Sequence, residues 1–333
     1  LYDLASAVFS GSRIILNEHF RCVEPIIRFS FQFYRGGSGE DLIQPLRIPK
    51  ASERIDPPLV DIYVKDGCRV GETNPREAEV IIEEITRLVE DPAFDGRTIG
   101  VISMIGRKQA ERIQKLLLDS IGQEAYMRYE IVCGDSATFQ GREKDIIFLS
   151  MVAAQGTKKV TKSTSRMYEQ RFNVAASRAR DRMYLVHSVT LDELSPDDLK
   201  AKLLRHFKEP MPAKLDVDQE LIELCESPFE EDVFTKLVEA GYLVRPQVPS
   251  MGRSIDLVVE GVGDARLAIE LDGDSYHGPE VWLEDWMRQK TLERVGWKFW
   301  RCWYSSYVAD PAGCMRSLFE RLESEKIYPQ EES

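Results

Sequence analysis

The chain has 333 residues, of which 43% are hydrophobic and 30% are charged, a composition typical of a globular protein large enough for two hydrophobic cores. No apolar run approaches the ~20 residues that a membrane-spanning helix needs, so we expect a cytoplasmic protein without membrane contact. The net charge of -12 excludes a protein that coats nucleic acid indiscriminately, because phosphate binding depends on lysine and arginine. Any nucleic-acid binding must therefore be local.

The start of the chain and its cysteines give two further expectations. The chain begins at Leu1 rather than at methionine, in a stretch typical of the middle of a domain, so we expect it to be the C-terminal part of a longer polypeptide. Its six cysteines are scattered and form none of the close pairs that zinc sites need, which predicts reduced thiols.

Residues 1–190 are predicted to form one α/β domain. Asn74 followed by Pro75 is typical of a capped helix start, with proline at the first helical position. Later segments alternate between apolar strands and amphipathic helices: strands at 98–104, 145–152 and 182–187, and a helix at 108–118. Continuous apolar strands separated by helices indicate a parallel sheet covered on both faces.

Residues 191–218 are predicted to be a linker with a short helix at 199–207, and prolines near 208–218 stop that helix. Residues 219–325 then form a second domain, followed by a tail at 326–333. The predicted elements of this domain are a helix at 228–240, strands at 243–248, 254–259 and 267–272, a helix at 281–295, a strand at 297–303 and a helix at 311–322. The fold class is therefore α/β throughout.

A compact basic loop lies at residues 156–166. Lys158, Lys159 and Lys162 alternate there with hydroxyl side chains, a combination that suits a nucleic-acid backbone. A solvated surface loop without a ligand would have the same composition, so both interpretations stay open.

Five segments of the first domain carry a family resemblance: residues 16–21, 31–34, 99–103, 139–145 and 171–180. In this order they resemble the second RecA-like domain of superfamily 1 helicases, most closely the subgroup of the nonsense-decay RNA helicase. The resemblance covers roughly residues 10–190. It implies a RecA-like parallel sheet that binds nucleic acid.

The same resemblance implies roles for individual residues. Arg21 and Arg178 would reach the γ-phosphate of ATP, because a guanidinium keeps its charge and can bind two phosphate oxygens. Gln140, Gly141 and Glu143 would couple the nucleotide state to the nucleic-acid groove. Arg178 lies in a segment that we predict to start a helix after a loop. Alternatively, these arginines form surface ion pairs only.

The sequence departs from active helicases in one respect. It contains no Gly-x-x-x-x-Gly-Lys-Ser/Thr run, and no apolar strand of it ends in the paired acids that hold Mg²⁺ in such ATP-driven motors. We therefore expect that this chain alone does not hydrolyse ATP. ATP would bind together with a first RecA-like domain in an N-terminal part of the same polypeptide; alternatively, the domain is a binding platform.

Acidic residues occur inside the apolar strands of the second domain. Asp256 lies within one strand, and Glu270 and Asp272 end the next, two residues apart and therefore on the same face. Within ~4 Å of each other, two carboxylates repel by roughly 4 kcal/mol at an effective dielectric of about 20. Mg²⁺ or Mn²⁺ would offset this repulsion, because both prefer oxygen ligands. Solvated acids at strand ends are the alternative.

The second domain also resembles a known family through residues 227–230, 247–248, 256, 270–273, 276–277, 285, 288–289, 292–297 and 301–303. It is similar to restriction-endonuclease-like PD-(D/E)XK domains, in particular to very-short-patch repair endonucleases, over about residues 219–323. The resemblance implies that Asp256 and Glu270 are metal ligands. Glu230 would be a helix-borne acid near the metal, and Gln289 would orient water or phosphate.

One position departs from the PD-(D/E)XK pattern. Asp272 stands where the family usually has lysine, so another group must supply that function. Lys290, Gln289 and His277 are the candidates. His277 could act as a general acid or base, or be held structurally by a neighbouring acid.

Together the two resemblances predict a helicase-nuclease that couples ATP-driven unwinding to Mg²⁺-dependent cleavage. DNA is the expected substrate, in repair or in defence against foreign DNA. Two alternatives stay open: a nucleic-acid-binding protein whose nuclease fold only docks, and an RNA helicase.

Overall fold

The computed structural model describes residues 17–34, 42–154, 162–208, 221–250, 253–261, 264–273 and 279–329. Within these ranges, no helix combines the length and the apolar character that a bilayer crossing demands. The predicted α/β class is confirmed, with a parallel five-stranded sheet followed by a second, mixed sheet.

The first half consists of alternating strands and helices around a five-stranded sheet. In chain order its elements are β1 (Glu18–Val23), α1 (Glu24–Phe31), β2 (Gln44–Arg47), β3 (Leu59–Tyr63), α2 (Pro75–Glu90), β4 (Ile99–Ser103), α3 (Lys108–Arg128), β5 (Val132–Asp135), β6 (Lys144–Ala154), α4 (Arg166–Ala175), β7 (Ala179–Ser188) and α5 (Leu199–Lys208). The main sheet has the order β3-β7-β6-β4-β5, and all its pairings are parallel.

The apolar sequence of the central strands explains this arrangement. Every residue of β6 is buried, because hydrophobic clusters pack on both faces of the sheet. Helix α2 starts as predicted: the Asn74 side chain accepts the N–H of Glu77, and Pro75 occupies the first turn. The strands predicted at 98–104, 145–152 and 182–187 all exist, with shifted ends.

Three details of the first half differ from the predictions. Helix α3 does not end at residue 118 but continues to Arg128, across a kink at Gly122 with φ of 76°. The prediction that Arg178 starts a helix is wrong, because Arg178 lies in the turn between the end of α4 and the start of β7. Helix α5, predicted within the linker, packs its apolar face into the first core. The division into domains at 190 and 218 stays a prediction.

The second half forms a four-stranded sheet with helices on both faces. Its elements are α6 (Pro228–Glu239), β8 (Leu243–Ser250), β9 (Arg253–Glu260), β10 (Arg266–Asp272), α7 (Pro279–Arg294), β11 (Phe299–Trp303), α8 (Tyr304–Ala309) and α9 (Pro311–Ser324). The order is β11-β10-β9-β8, with β10 and β11 parallel and the other neighbours antiparallel. The predicted elements are present, and α8 is an additional short helix.

Strand β2 and the loop after it join the two halves. β1 and β2 form a separate two-stranded parallel sheet. Leu46, in β2, is only 3% exposed and belongs to one buried cluster with Leu292 and Trp297 of the second half. Nearby, the backbone N–H and the hydroxyl of Ser52 donate to the Asp264 carboxylate, at 3.1 and 2.7 Å.

Candidate functional site

In the first half, arginines gather around one carboxylate at the start of β6 and β7. Arg21 Nε, in β1, donates to Glu143 Oε2 at 2.5 Å. Arg180 Nε, in β7, donates to Glu143 Oε1 at 2.9 Å. Burial alone would raise the pKa of Glu143, but the hydrogen bonds from Arg180 and Arg21 outweigh burial and lower it. Glu143 is therefore ionised and fixes both arginines.

Arg178 lies next to this pair but uses backbone oxygens as partners. Its Nε donates to the carbonyl of Val174 at 3.2 Å, and its Nη1 donates to that of Arg142 at 3.4 Å. Burial, and after it the charge of Arg21, lowers the pKa of Arg178. Three arginines thus lie around Glu143, with more positive than negative charge in the cluster. Such a surplus suits an anion such as a nucleotide phosphate.

The remaining predicted residues of this motif have different surroundings. Gly141 has a φ of +81°, a conformation that glycine adopts easily and that suits the turn before β6, and its coupling role stays a prediction. Gln140 lines a separate cleft of about 480 Å³ between α4 and the loops that follow β4 and β5. Arg21, Glu143 and Arg178 do not belong to the lining of that cleft.

The basic loop is only partly described. Lys158 and Lys159 lie outside the described residues. Lys162 is exposed, and its ammonium group donates to the Asp197 carboxylate at 3.1 Å. The prediction that this loop binds a phosphate backbone stays a prediction.

In the second half, the predicted carboxylates lie where β9 and β10 separate. The antiparallel ladder pairs Leu257 with Ile269, which places Asp256 and Glu270 at the next cross-strand position. There the ladder ends, and Asp256 Oδ2 instead accepts the backbone N–H of Leu271 at 2.6 Å. The two acids therefore share one face at the diverging ends of two strands.

Glu230 joins this site from the start of helix α6. Its carboxylate accepts hydrogen bonds from the Ser227 hydroxyl at 2.8 Å and from the Gln247 amide at 2.9 Å, and only 6% of the residue is exposed. Gln247 lies opposite Asp256 in the β8–β9 ladder and has a positive φ of 50°. A positive φ is unusual for glutamine, and such strain is concentrated at functional sites. Gln247 thus holds Glu230 beside the strand acids.

The negative charge of these acids is only partly compensated by neighbouring cations. Burial, followed by repulsion from Glu270, raises the pKa of Asp256 to about 7. Burial also raises the pKa of Glu270, against the opposing effect of Arg288 and Arg301. At neutral pH the pair therefore holds on to a proton or requires a cation.

Two arginines that sequence reasoning did not assign to the site lie beside these acids. Arg288 Nη1, on α7, donates to Glu270 Oε1 at 3.1 Å, and its Nη2 donates to the backbone oxygen of Ser254 at 2.9 Å. Arg301, in β11, faces Glu270 across the parallel ladder, and its Nε lies 2.9 Å from Asp272 Oδ2. The latter pair is close enough for an ion pair, but the N–H does not point at the oxygen.

Of the three residues predicted to replace the missing lysine, Gln289 and Lys290 bind a different acid in the structure. The Gln289 amide donates to Glu293, four residues further along α7, at 2.8 Å. Lys290 also binds Glu293. His277 lies outside the described residues. Sequence periodicity could have identified Arg288, because it lies one helical turn before the buried Leu292 and therefore on the inner face.

The donor set fits a divalent cation. Asp256 and Glu270 supply carboxylate oxygens, and Mg²⁺ usually takes one or two carboxylates and completes its shell with water. Among the described residues, no three acidic, histidine or cysteine side chains converge around one point as metal ligands do. The contacts explain this: Glu270 is turned toward Arg288, and Asp256 toward the N–H of Leu271.

Comparison with known proteins gives two family matches. A family model described as an AAA domain, AAA_12, matches residues 3–190, and the model REase_MTES_1575 matches residues 229–322. Among solved structures, the C-terminal domain of a possible DNA helicase from Lactobacillus plantarum WCFS1 matches with 14% identity and a TM-score of 0.33, over 56% of this chain and 96% of that domain. No curated protein matches.

The AAA-domain match covers more than half of the 333 residues, and it includes every residue of the arginine cluster around Glu143. The second match includes Glu230, Asp256, Glu270 and Asp272. The chain belongs to the helicase-like AAA_12 family and carries a restriction-endonuclease-like domain after the AAA domain.

Proposed function

We propose that this chain is the nuclease-bearing part of a helicase-nuclease that cleaves phosphodiester bonds of DNA. The observation that carries the proposal is the pair formed by half-buried Asp256 and buried Glu270 where β9 and β10 diverge, with the pKa of Asp256 raised to about 7. Neighbouring carboxylates whose charge is offset only in part, by Arg288 at Glu270, are costly in free energy for a domain that only docks. They are suited to a site that binds a divalent cation.

Each residue has a part in the proposed reaction. Asp256 and Glu270 would hold Mg²⁺ or Mn²⁺, and Glu230, fixed by Gln247 and Ser227, would add negative charge next to them. When bound, the ion supplies Lewis-acid polarisation of a phosphodiester. The described side chains exclude bulk water from one side of the site, since Glu230 and Glu270 are both buried.

In the first half we propose a nucleotide role that depends on a partner domain. Arg21 and Arg178 would reach the γ-phosphate of an ATP held by a first RecA-like domain of the same polypeptide. The surplus of positive charge around Glu143 supports this proposal. Repair of DNA, or defence against foreign DNA, is the proposed setting.

One observation favours an alternative in which the second half binds nucleic acid without cutting it. Arg288 pairs with Glu270, so that one of the two proposed metal ligands already has a cationic partner. An RNA substrate is a further alternative, because the helicase resemblance allows it.

A cleavage assay separates these functions. The purified chain is incubated with end-labelled DNA duplex, single-stranded DNA and RNA of the same sequence, with Mg²⁺, with Mn²⁺ or with EDTA. We expect DNA cleavage with either ion, none with EDTA, and none by Glu270→Gln. Glu320→Gln, an exposed glutamate of α9, is the matched control and should cut normally. Binding without cleavage under every condition would establish the docking alternative.

A further inference from the structure

The acidic site must bind a substrate that carries the same charge as the site. Glu230, Asp256, Glu270 and Asp272 influence one another electrostatically, and a phosphodiester is also an anion. The position where related nucleases usually have lysine holds Asp272, which adds negative charge. A cationic side chain from elsewhere in the domain is therefore required to bring the phosphate close to these acids.

Arg288 has the location that this role requires. It extends from α7 onto the ends of β9 and β10, where its guanidinium binds Glu270 and the backbone oxygen of Ser254. Its side chain is only 13% exposed, so the charge is fixed in place rather than free in solvent. A guanidinium has five N–H groups in a rigid fork, and these two contacts leave most of them for another acceptor.

The hydrogen-bond inventory of the site indicates that an acceptor is missing. Arg288 Nε is buried and has no hydrogen-bond partner among the residues that the structure describes. Arg301 Nε is also buried and makes no hydrogen bond there, although Asp272 Oδ2 lies 2.9 Å away as an ion-pair partner. A buried N–H without an acceptor is destabilising and rare in folded proteins, so that of Arg288 requires an explanation. Both arginines flank the same carboxylates. An anion bound to Arg288 would supply the acceptor that its Nε lacks.

A purely structural ion pair explains these facts less well. A buried pair gives net stability only when its remaining N–H groups are also bonded, which is not so for Arg288 Nε. The neighbours of Arg288 in sequence do not compete for the role, because Gln289 and Lys290 both bind Glu293. Arg288 is the cation of α7 that is directed at the carboxylates.

We propose that Arg288, assisted by Arg301, binds the non-bridging oxygens of the scissile phosphate and so performs the function of the missing lysine. This inference rests on the proposed nuclease function and deepens it, because it assigns the phosphate-binding group. It also predicts that Arg288 competes with the metal ion for Glu270 in the absence of nucleic acid.

The test compares Arg288→Met and Arg288→Lys with the control Lys290→Met, which removes a charge from the same helix. Two quantities are measured on the full chain: the single-turnover rate of DNA cleavage in Mg²⁺, and the dissociation constant of Mn²⁺ without DNA by calorimetry. Thermal unfolding checks that each variant folds. If Arg288→Met does not fold, Arg288→Lys and Arg301→Met carry the test.

We expect Arg288→Met to slow cleavage by about 100-fold or more, the usual effect of removing one donor to a developing negative charge. The same variant should bind Mn²⁺ several-fold more tightly, because Glu270 loses its competing cation. Arg288→Lys and Arg301→Met should each slow cleavage by about tenfold, since charge or fork geometry is only partly lost. Lys290→Met should match the unaltered protein in both measurements.

Two results would overturn the inference. One is cleavage by Arg288→Met within about threefold of the normal rate. The other is a loss of cleavage together with weaker Mn²⁺ binding, which would mean that Arg288 only supports the fold of the site. If the unaltered protein cuts no nucleic acid, the proposed nuclease function itself fails. That outcome is distinct, because it appears before any variant is compared.

Discussion

The two halves of the molecule place a buried or half-buried carboxylate in opposite surroundings. Glu143, in the first half, lies between Arg21 and Arg180, which lower its pKa. Asp256, in the second half, faces Glu270, and its pKa is raised to about 7. The first carboxylate is stabilised as an anion, whereas the second is stabilised when it is protonated or bound to a cation.

This difference shows what each region is suited to bind. The cluster around Glu143 has more guanidinium groups than acids, so a phosphate anion would complete it. The site around Asp256 has more acids than cations, so a metal ion would complete it. The same chain therefore contains one region suited to a nucleotide phosphate and another suited to a metal-dependent cut.

The contact between the two halves can be tested at Leu46, which packs against Leu292 and Trp297. Leu46 is buried against the second half, so Leu46→Ala should destabilise the protein by about 2–5 kcal/mol, as expected for a leucine removed from a packed core. Chemical denaturation of the full chain measures the free energy of unfolding. The matched control is Leu118→Ala, because Leu118 is exposed on α3. A change below 0.5 kcal/mol, about the size of a surface substitution, would show that the two halves do not pack together.

Asp256→Asn tests the electrostatics of the second region. The folded pKa, about 7, lies above the ordinary value near 4, so the folded state keeps a proton that the unfolded state releases between these values. The stability of the unaltered protein therefore falls as the pH rises from about 4 to about 7, and stays lower above it. Asparagine keeps an acceptor for Leu271 and carries no charge. We expect it to stabilise the protein at pH 8 by on the order of 2 kcal/mol.

The pH dependence distinguishes this account from a simple packing effect. The gain from Asp256→Asn should shrink steadily from pH 7 to pH 4, as measured by thermal unfolding without divalent ions. A gain that is constant over this range, or a loss of stability at pH 8, would contradict the only partly compensated charge that we assign to the site.

Glu143→Gln should lower the stability of the protein, in contrast to Asp256→Asn, and the change in the free energy of unfolding should be smaller. The substitution removes the charge that binds Arg21 and Arg180 and leaves these arginines next to Arg178. Because Glu143 is about one-third exposed, solvent screens the interaction, and we expect a loss of only ~0.5–1 kcal/mol. Chemical denaturation of both proteins at low and at high salt measures this loss of stability. The loss caused by Glu143→Gln should decrease as salt is added. Stabilisation by Glu143→Gln would remove the contrast between the two regions.

Sequence alone predicts the sheets well but not all of the site. Strand β6 reads as a continuous apolar run because both of its faces are buried. Asp256 and Glu270 are predictable because strand periodicity and family resemblance agree. The location of Arg178 could not be predicted from the sequence. The helix-forming residues before it favour a helix locally, but strand pairing from Ala179 onward places Arg178 in a turn.

Arg288 shows most clearly what depends on tertiary packing. Three consecutive polar residues, Arg288, Gln289 and Lys290, occur in α7. Their residue types alone do not tell which side chain faces the carboxylates. The packing of α7 on the sheet directs Arg288 at Glu270 and leaves its two neighbours to bind Glu293. The choice depends on which face of the helix is buried, and the position of Leu292 reveals that face.

A single cleavage experiment tests whether the carboxylates of the second half, and not the arginines of the first, carry the chemistry. DNA cleavage in Mg²⁺, with and without ATP, is measured for the unaltered chain, Glu270→Gln, Arg178→Ala and the double variant. We predict that Arg178→Ala cuts at the normal rate, that both proteins with Glu270→Gln do not cut, and that ATP changes nothing. Cleavage by Glu270→Gln, or its loss in Arg178→Ala, would contradict the assignment of the chemistry to the carboxylates of the second half.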